Sequence, residues 1–547
     1  MNNTITITFP NNESKEYPIN TRYYDITKDY VEKNKIDLLA VRVNNEVFAL
    51  DQKASKNEKI ELIDVTDLAG YKMYQAGLKF LFMVSVNELY KDANVSFLHS
   101  VPRGILSEIE VNQNLTHEDV RRIKAKMASI ISRKERIERF NVDVKDAYKY
   151  FMGHGEVEKA KNIQYLPNEV ITLYKLRNQL NYFYGNMPYD TSVLNRFELV
   201  FIGRNRIVLV CPNVVSGRRV PEYVHYENIV ANFMETKQWL KTVKTPYLAD
   251  LNLLVTKSKI KDFILSNELE YTEGLMKARD DILSKRDVRV VLIAGPSSSG
   301  KTTTMSRLNS LFISKGYDTV TISTDDFFVN RVDTPKTENG EYDYECLRAI
   351  DLEAFNQAIR DLLDGKSVIL PEYDFITGES VRKGKTIKLK ENSFLFIEGL
   401  HCLNDELTPY IEDKYKYKIY LSPFMPLSID RHNYISTLDL RLLRRIVRDN
   451  RTRGKKVDAT IKEWQVVRNG EEKYIFPYVY QADRIINTAL SYELGVLKTY
   501  ANPLLYSVGI DSKYYNEARR LIHSLQPYFD IPSEYVPKDS ILREFVG

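Results

Sequence analysis

A glycine-rich segment just past the middle of the chain carries residues whose types and spacing suit phosphate chemistry. It reads AGPSSSGKTTT over residues 294–304, and Gly295, Gly300, Lys301 and Thr302 fit the pattern G-x-x-x-x-G-K-[ST]. Glycines let backbone N–H groups approach phosphate oxygens, the lysine reaches the outer phosphates, and the threonine hydroxyl suits Mg²⁺. A buried-strand pattern before the segment and a helix-forming stretch after it favour a phosphate cradle over a chance turn.

The nucleotide expected at this cradle is ATP with Mg²⁺, because no NKxD motif typical of guanine recognition follows the loop; the match NKID at 34–37 lies before it, in the first predicted domain. Nine consecutive residues are predicted to bind it: Gly295, Pro296, Ser297, Ser298, Ser299, Gly300, Lys301, Thr302 and Thr303. A cradle of this kind does not by itself distinguish a kinase from an ATPase.

An acidic pair, Asp325 and Asp326, follows the apolar segment TVTIS (319–323). A carboxylate at the end of a strand next to the cradle would point into the ligand crevice of a parallel sheet. There it can accept the proton of an attacking hydroxyl or help to hold Mg²⁺. The alternative role is helix N-capping, which suits one of the two residues.

The elements that must position these residues are read from apolar runs separated by helical stretches. The runs are 288–294, 319–323, 367–370, 393–399 and 417–422. Because β-branched apolar runs are typical of strands buried on both faces, the pattern predicts a doubly wound α/β domain with a parallel sheet.

A run of arginines lies near residue 450. Six fall within 13 residues: Arg441, Arg444, Arg445, Arg448, Arg451 and Arg453. Spacings of three and four place several on one helix face. Guanidinium groups offer fixed, bidentate donors to phosphate oxygens, so the run predicts a lid over the transferring phosphoryl group. The alternatives are a solvated basic helix and an RNA-contacting helix.

Five ordered motifs, at 295–302, 323–328, 372–375, 396–399 and 441–454, make residues 288–500 resemble the uridine kinase and phosphoribulokinase family. The resemblance implies that Asp325 is the catalytic base, with Lys301 also catalytic, and that Asp343 grips the ribose hydroxyls. It implies further roles for seven residues. Tyr373 and Phe375 would lie beside the nucleobase of the acceptor, and Thr302 and Glu398 would bind Mg²⁺. The lid residues would be Arg445, Arg448 and Arg453, of which Arg448 would also contact the acceptor.

The sequence departs from this family at one position. Uridine kinases carry a base-reading histidine three residues after the phenylalanine of their YDF motif, where this chain has Gly378. We expect an ATP-dependent phosphotransferase acting on the 5′-hydroxyl of a nucleoside, uridine or cytidine. Another small hydroxyl metabolite remains an alternative acceptor, and an RNA-binding or regulatory protein with a nucleotide-sensing loop remains an alternative function.

The front of the chain resembles two modules of threonyl-tRNA synthetases. Strand, turn, helix and hairpin patterns in residues 1–66 resemble the TGS domain, an α+β module of the β-grasp class. The segments LTHEDVRRIKAKM (115–127) and ITLYKLRNQLNYFYGNMP (171–188) resemble the second additional domain, which edits through HxxxH and CxxxH motifs. The corresponding positions here are Tyr74, Leu78, Phe183 and Met187. We therefore predict an apolar patch without metal, and RNA docking (including tRNA), kinase regulation and homo-oligomer formation stay open as uses.

Composition adds general limits. The net charge of +4 does not demand a nucleic-acid partner, and the three cysteines, Cys211, Cys346 and Cys402, show no CxxC spacing. No signal-like or membrane-spanning run is found, so a cytoplasmic protein without membrane contact is expected. The predicted domains are 1–66, 70–212, a helical connector at 213–286, a kinase-like domain at 287–505 and an extension at 506–547.

Overall fold

The computed structural model describes residues 4–337, 340, 342–374, 377–381 and 384–547. The first region, residues 4–66, is a small α+β unit. Its elements are β1 (Thr4–Thr8), β2 (Ser14–Pro18), α1 (Tyr23–Asn34), β3 (Ala40–Val43), β4 (Glu46–Ala49), β5 (Glu58–Lys59) and β6 (Glu61–Ile63). The predicted hairpin turn at Asn44 and Asn45 is confirmed, since both residues have positive φ, as the tight turns of hairpins require.

The second region, residues 68–210, contains a long buried helix and two antiparallel sheets. Its elements are α2 (Leu68–Leu89), β7 (Asn94–Val101), β8 (Gly104–Glu110), α3 (His117–Ser132), β9 (Glu138–Asp143), α4 (Val144–Gly153), α5 (Val157–Ile163), β10 (Val170–Leu176), β11 (Gln179–Asn181), β12 (Glu198–Phe201) and β13 (Arg206–Val210). The sheets have the orders β12-β13-β8-β7 and β11-β10-β9. The predicted N-cap of α3 is confirmed, because Thr116 forms a capping box with Asp119.

The third region, residues 227–547, is built on a parallel sheet. Its helices are α6 (Glu227–Thr242), α7 (Leu248–Thr256), α8 (Ile260–Ser284), α9 (Lys301–Ile313), α10 (Leu352–Leu363), α11 (Thr437–Arg453), α12 (Val457–Tyr474), α13 (Glu493–Tyr506), α14 (Tyr515–Leu525) and α15 (Arg543–Val546). Its strands are β14 (Val290–Ala294), β15 (Thr319–Ser323), β16 (Ser367–Ile369), β17 (Glu372–Asp374), β18 (Glu379–Val381), β19 (Thr386–Lys388), β20 (Phe394–Gly399), β21 (Lys416–Ser422) and β22 (Arg484–Asn487).

The main sheet has the order β15-β20-β14-β21-β22, and every adjacent pair is parallel. Residues along β14 alternate between two hydrophobic cores, with Val291 and Ile293 on one side and Val290 and Leu292 on the other. Helices α8, α9, α11 and α13 line the first core, and α6 and α10 line the second. The predicted doubly wound parallel sheet is confirmed.

Two details of the predicted sheet are wrong. The run 367–370 does not join the main sheet, because β16 pairs antiparallel with β19 in a separate two-stranded sheet. The strand that carries the acidic pair is not next to β14 either, since β20 lies between β15 and β14.

Helices α6, α7 and α8, which fall in the predicted connector, are part of the third region's packing. Ile229, Val230 and Phe233 of α6 lie in the second core, and α8 places Ile264 and Ile282 in the first core. Within the described ranges, every helix is too short or too polar to cross a bilayer.

Candidate active site

The segment between β14 and α9 forms a tight loop in which two residues have left-handed backbone conformations. Ser298 has a φ of 60° and Gly300 a φ of 84°. At Gly295, an added Cβ would lie 2.7 Å from the carbonyl oxygen of Leu421 on β21, so only glycine fits there. The loop places the N-terminal end of α9, where helix N–H groups lack intrahelical partners, at the carboxyl edge of the sheet.

The polar atoms of this loop fit a triphosphate. Lys301 opens α9, and its Nζ lies 3.4 Å from the carbonyl oxygen of Pro296, folded back along the loop. The hydroxyls of Ser298 and Ser299 are buried and have no hydrogen-bond partner within the described part of the chain. Ammonium, hydroxyl and helix N-terminal donors thus converge where phosphate oxygens would need them.

Thr302 and Glu398 form a pair of oxygen donors beside the loop. The Thr302 hydroxyl donates to Glu398 Oε1 at 2.8 Å, and Glu398 stands on β20 directly opposite Ile293 of β14. Burial raises the pKa of Glu398 to about 7, an effect that Lys301 opposes and Asp325 reinforces. Because hydroxyl, carboxylate and phosphate oxygens are the ligands that Mg²⁺ prefers, these two residues fit the ion.

The acidic pair lies on a short 3-10 turn after β15, Thr324–Phe327. Ser323, and neither aspartate, caps this turn: its hydroxyl oxygen accepts from the N–H of Asp325 at 3.3 Å. Burial, and then the charge of Asp325, raise the pKa of Asp326 to about 6. The exposed Asp325 also contributes to the raised pKa of Glu345, about 7, and to that of Glu398, so its charge acts on the cradle side of the sheet.

Two of the residues expected to hold the acceptor, Asp343 and Tyr373, are fixed by local contacts. Asp343 accepts a hydrogen bond from the Tyr474 hydroxyl at 3.0 Å and one from the N–H of Glu345 at 3.2 Å. Tyr373 is buried and packs edge-on against Phe328, with ring centroids 5.5 Å apart. Phe375 lies outside the described residues.

Arg331 occupies the space where a base-reading histidine is expected. Gly378 has a φ of 80°, and an added Cβ there would lie 2.7 Å from the guanidinium carbon of Arg331. The backbone N–H of Arg331 also donates to the Gly378 carbonyl at 2.8 Å. A side chain at position 378 would therefore collide with Arg331.

The arginine run forms α11, and two of its members are structural. The Arg441 and Arg444 side chains are 2% and 0% exposed, and they pair with Glu471 and Glu493 respectively. A solvated basic helix is therefore wrong for these two arginines. Both also reach the phosphate loop: Arg441 Nε donates to the Ser297 carbonyl at 2.9 Å, and Arg444 Nη1 to the Ser298 carbonyl at 3.4 Å.

Asp449 lies close to all three predicted lid arginines. Its carboxylate is fully buried and lies 3.3 Å from Arg445, 2.8 Å from Arg448 and 3.6 Å from Arg453. Although burial opposes it, the three positive charges hold the pKa of Asp449 below its usual value. Arg445 also donates to the Ser297 hydroxyl at 3.1 Å, so at least one lid residue touches the cradle.

The sequence reasoning missed three residues at this site. Glu345 lies two residues after the predicted Asp343, and Asp449 lies inside the arginine motif, where a lone acidic residue is the signal that points to it. Glu544 of α15 accepts from the Thr303 hydroxyl at 2.8 Å. No sequence signal indicates Glu544, because it is 241 residues away from its partner.

Comparisons with known proteins find two different kinds of relative for this chain. The Phosphoribulokinase / Uridine kinase family model matches residues 290–493. A uridine kinase from Macrococcus caseolyticus is 31% identical over 198 residues, which span 36% of this chain and 86% of the relative. A uridine kinase from Staphylococcus aureus is 28% identical over the same length, with the same shares.

The N-terminal part matches a different class of protein. A threonine–tRNA ligase from Ehrlichia chaffeensis is 28% identical over 196 residues, which cover 36% of this chain and 31% of the ligase. The chain therefore spans under a third of that relative's length. Among solved structures, a possible uridine kinase from Bacillus stearothermophilus shows 23% identity with a TM-score of 0.24, covering 28% of this chain and 80% of that one.

The kinase-like match coincides with the structural site. Residues 290–493 contain β14, the phosphate loop, the carboxylates at the strand ends and the whole of α11. The match at 31% identity covers most of a uridine kinase, and the tRNA-ligase match falls outside this segment, in the N-terminal part. Through residues 290–493, the chain belongs to the Phosphoribulokinase / Uridine kinase family.

Proposed function

We propose that this chain is an ATP- and Mg²⁺-dependent kinase that phosphorylates the 5′-hydroxyl of a nucleoside, uridine or cytidine. One observation carries the proposal. Asp325 and the phosphate loop share the carboxyl edge of one parallel sheet, and the charge of Asp325 acts on Glu398, the partner of Thr302. A base, an anion cradle and Mg²⁺ ligands at one edge are the parts that phosphoryl transfer to an alcohol requires.

Each proposed role follows from the chemistry of the side chain. Bound MgATP supplies the phosphoryl group and the cation that neutralises its charge. Lys301 and the start of α9 hold the phosphates, and Thr302 with Glu398 would hold Mg²⁺. Asp343 accepts hydrogen bonds from the sugar hydroxyls once Tyr474 yields its place.

The proposed reaction moves one phosphoryl group to the acceptor and one proton to Asp325. The acceptor hydroxyl loses its proton to Asp325 as its oxygen bonds to the γ-phosphorus, and the bond from that phosphorus to the β,γ-bridging oxygen breaks to release ADP. Arg445, Arg448 and Arg453 donate to the oxygens on which charge accumulates. Asp449 keeps these three cations together in the absence of phosphate.

A second acceptor class is favoured by Arg331. A guanidinium at the position of the missing histidine donates hydrogen bonds and carries charge, so it suits an acceptor with a carbonyl, carboxylate or phosphate group. On this alternative the chain phosphorylates a different hydroxyl metabolite by the same chemistry.

The test is an ADP-release assay with Mg-ATP against a panel of nucleosides, sugars and hydroxy acids. Turnover with uridine or cytidine supports the first proposal, and turnover confined to a non-nucleoside supports the second. The Asp325→Asn variant should lose about 10²–10⁴-fold in kcat with little change in nucleotide affinity, the usual effect of removing a general base. Equal rates for variant and parent would rule out Asp325 as the base.

A further inference from the structure

The second region is apolar at the four positions that match the polar editing motifs of threonyl-tRNA synthetases. Tyr74, Leu78, Phe183 and Met187 are all buried in one hydrophobic cluster. The same region contains a buried ammonium group. The Lys159 side chain is 1% exposed, and its Nζ lies 2.6 Å from Glu156 Oε2. A desolvated cation of this kind requires further acceptors.

A loop of the third region supplies such an acceptor. Residues 428–434 connect β21 to α11, and His432 Nδ1 lies 2.7 Å from Lys159 Nζ and 3.1 Å from Asn181 Nδ2. An ammonium group can only donate, so Nδ1 accepts and the imidazole is neutral. Burial and the Lys159 charge lower the pKa of His432 to about 3, in keeping with that state.

Three further hydrogen bonds, each to a backbone carbonyl, fix the same loop to the second region. The N–H of Phe97 donates to the Arg431 carbonyl at 2.8 Å, and Lys79 Nζ donates to the His432 carbonyl at 3.2 Å. Asn433 Nδ2 donates to the Tyr182 carbonyl at 3.1 Å. These bonds come from α2, β7 and the segment after β11, so the loop is held from three sides.

The loop is also stiff within itself. Buried Asp430 accepts from the backbone N–H of His432 at 2.7 Å and from the side chain of Asn433 at 2.9 Å. The N–H of Ile429 donates to the Asn433 carbonyl at 2.9 Å. A displacement of His432 would therefore move the whole loop and not one side chain.

The contacts continue into the first turn of α11. His99 of β7 lies 2.7 Å from the Thr437 hydroxyl, and Lys72 of α2 lies 3.2 Å from Asp439. One and two turns farther along α11, Arg441 and Arg445 bind Ser297 of the phosphate loop. An unbroken series of packed polar contacts thus joins the second region to the cradle.

We propose that the second region positions α11 for the kinase reaction by holding residues 428–434. His432 is the positioning residue of this loop. Residues 428–434 of the same chain fill the pocket formed by Lys159, Asn181 and Phe97. The inference rests on the proposed function for its effect on turnover, and on the structure alone for its effect on α11. His432 touches no reacting atom; it acts by holding the loop from which the arginine helix begins.

The test compares full-length His432→Leu, which removes the acceptor, with His432→Asn, which retains a side-chain acceptor. Lys149→Met is the matched control, because Lys149 is an exposed lysine of the second region, 77% exposed. Hydrogen–deuterium exchange of residues 437–453 is measured first, and kcat and the KM for ATP second. We expect His432→Leu to speed exchange in α11 and to lower kcat about 10–100-fold at a nearly unchanged KM, since small misplacements of catalytic groups have effects of that size. His432→Asn should recover most of both properties.

Unchanged exchange of α11 in His432→Leu, or equal loss of kcat in the Leu and Asn variants, would overturn the proposal. An RNA that opens residues 428–434 in the parent would overturn it as well, since the pocket would then serve RNA. Absence of turnover in the parent would instead refute the proposed function, and the exchange comparison would still decide this inference. If His432→Leu does not fold, Thr437→Val and Thr437→Ser repeat the comparison at the His99 contact.

Discussion

Glu398 is a buried acid whose protonation controls whether the site offers a carboxylate to a metal. Burial raises its pKa to about 7, so the protonated form dominates below that pH in the metal-free chain. On the proposed assignment Mg²⁺ would bind the deprotonated form, and below pH 7 it would have to displace a proton.

The Mg²⁺ requirement should therefore increase as the pH falls from 8 to 6. Below pH 7 we expect about a tenfold rise per unit in the Mg²⁺ concentration for half-maximal stabilisation by ATP. The measurement is a thermal-shift titration of Mg²⁺ at fixed ATP and at three pH values. Glu398→Gln is the control, because it retains the titration of ATP itself and loses that of the carboxyl group. Identical requirements at pH 6 and pH 8 in the parent would contradict the assignment.

Glu544 places a negative charge beside a residue expected to bind phosphate. It accepts from the Thr303 hydroxyl, and its charge also raises the pKa of Glu398. Glu544→Gln keeps an oxygen acceptor for Thr303 and removes the charge, so ATP should bind more tightly, by up to about fivefold for a partly exposed group. Isothermal titration with the parent, Glu544→Gln and Thr303→Val measures this. Weaker binding by Glu544→Gln would show that the charge itself supports the cradle.

Helix α11 is held in the core by two buried ion pairs, Arg441 with Glu471 and Arg444 with Glu493. Arg444 and Glu493 are both 0% exposed, and Arg444 also donates to the Thr488 carbonyl at 2.8 Å. Removing one member of a buried pair leaves an uncompensated charge, which costs far more than replacing both.

Arg444→Met should lower the free energy of unfolding of this core by about 3–5 kcal/mol. The double variant Arg444→Met with Glu493→Leu should recover part of that loss, since the stranded carboxylate is removed too. Urea unfolding followed by tryptophan fluorescence is suited to this, because Trp239 and Trp464 both pack in or against the first core. A double variant as unstable as Arg444→Met alone would contradict the argument.

Sequence patterns predicted the elements well where local chemistry decides them. The phosphate loop between β14 and α9, the Thr116 cap and the Asn44–Asn45 turn all depend on neighbouring residues. The run 367–370 was misassigned because apolar character does not specify a partner, and β22 was missed because four residues with a charged first member give little periodicity. The partners of Arg441 and Arg444 lie 30 and 49 residues away, so pairing in the core could not be read from spacing.

At the scale of the whole molecule, the second and third regions share a hydrophobic core. Leu106 and Val208, on one face of the second region's sheet, lie in the same cluster as Val230 of α6 and Leu292 of β14. The opposite face of that sheet, with Ile105 and Leu209, lies in the second region's own core. The sheet is thus buried on both sides, one of them against the kinase-like region.

A fragment that begins at residue 287 should therefore fold poorly. It lacks α6 and α8, whose apolar residues complete both cores of the parallel sheet. Exposed apolar area of this extent promotes association. We expect a fragment of residues 287–547 to bind a hydrophobic dye and to aggregate during size-exclusion chromatography, in contrast to the full chain. A monodisperse fragment with cooperative unfolding would show that these helices are dispensable.

The shared core also bears on how such a chain can change through inheritance. A recombination that replaced the second region with an unrelated module would expose the apolar residues of α6 that share a core with Leu106. That exposure would occur before any new function could be selected. Because Val208 and Val230 lie in that shared core, a substitution at either position would alter the packing of both regions. Exchanging the front half of this chain for an unrelated module would therefore require compensating changes in α6 as well.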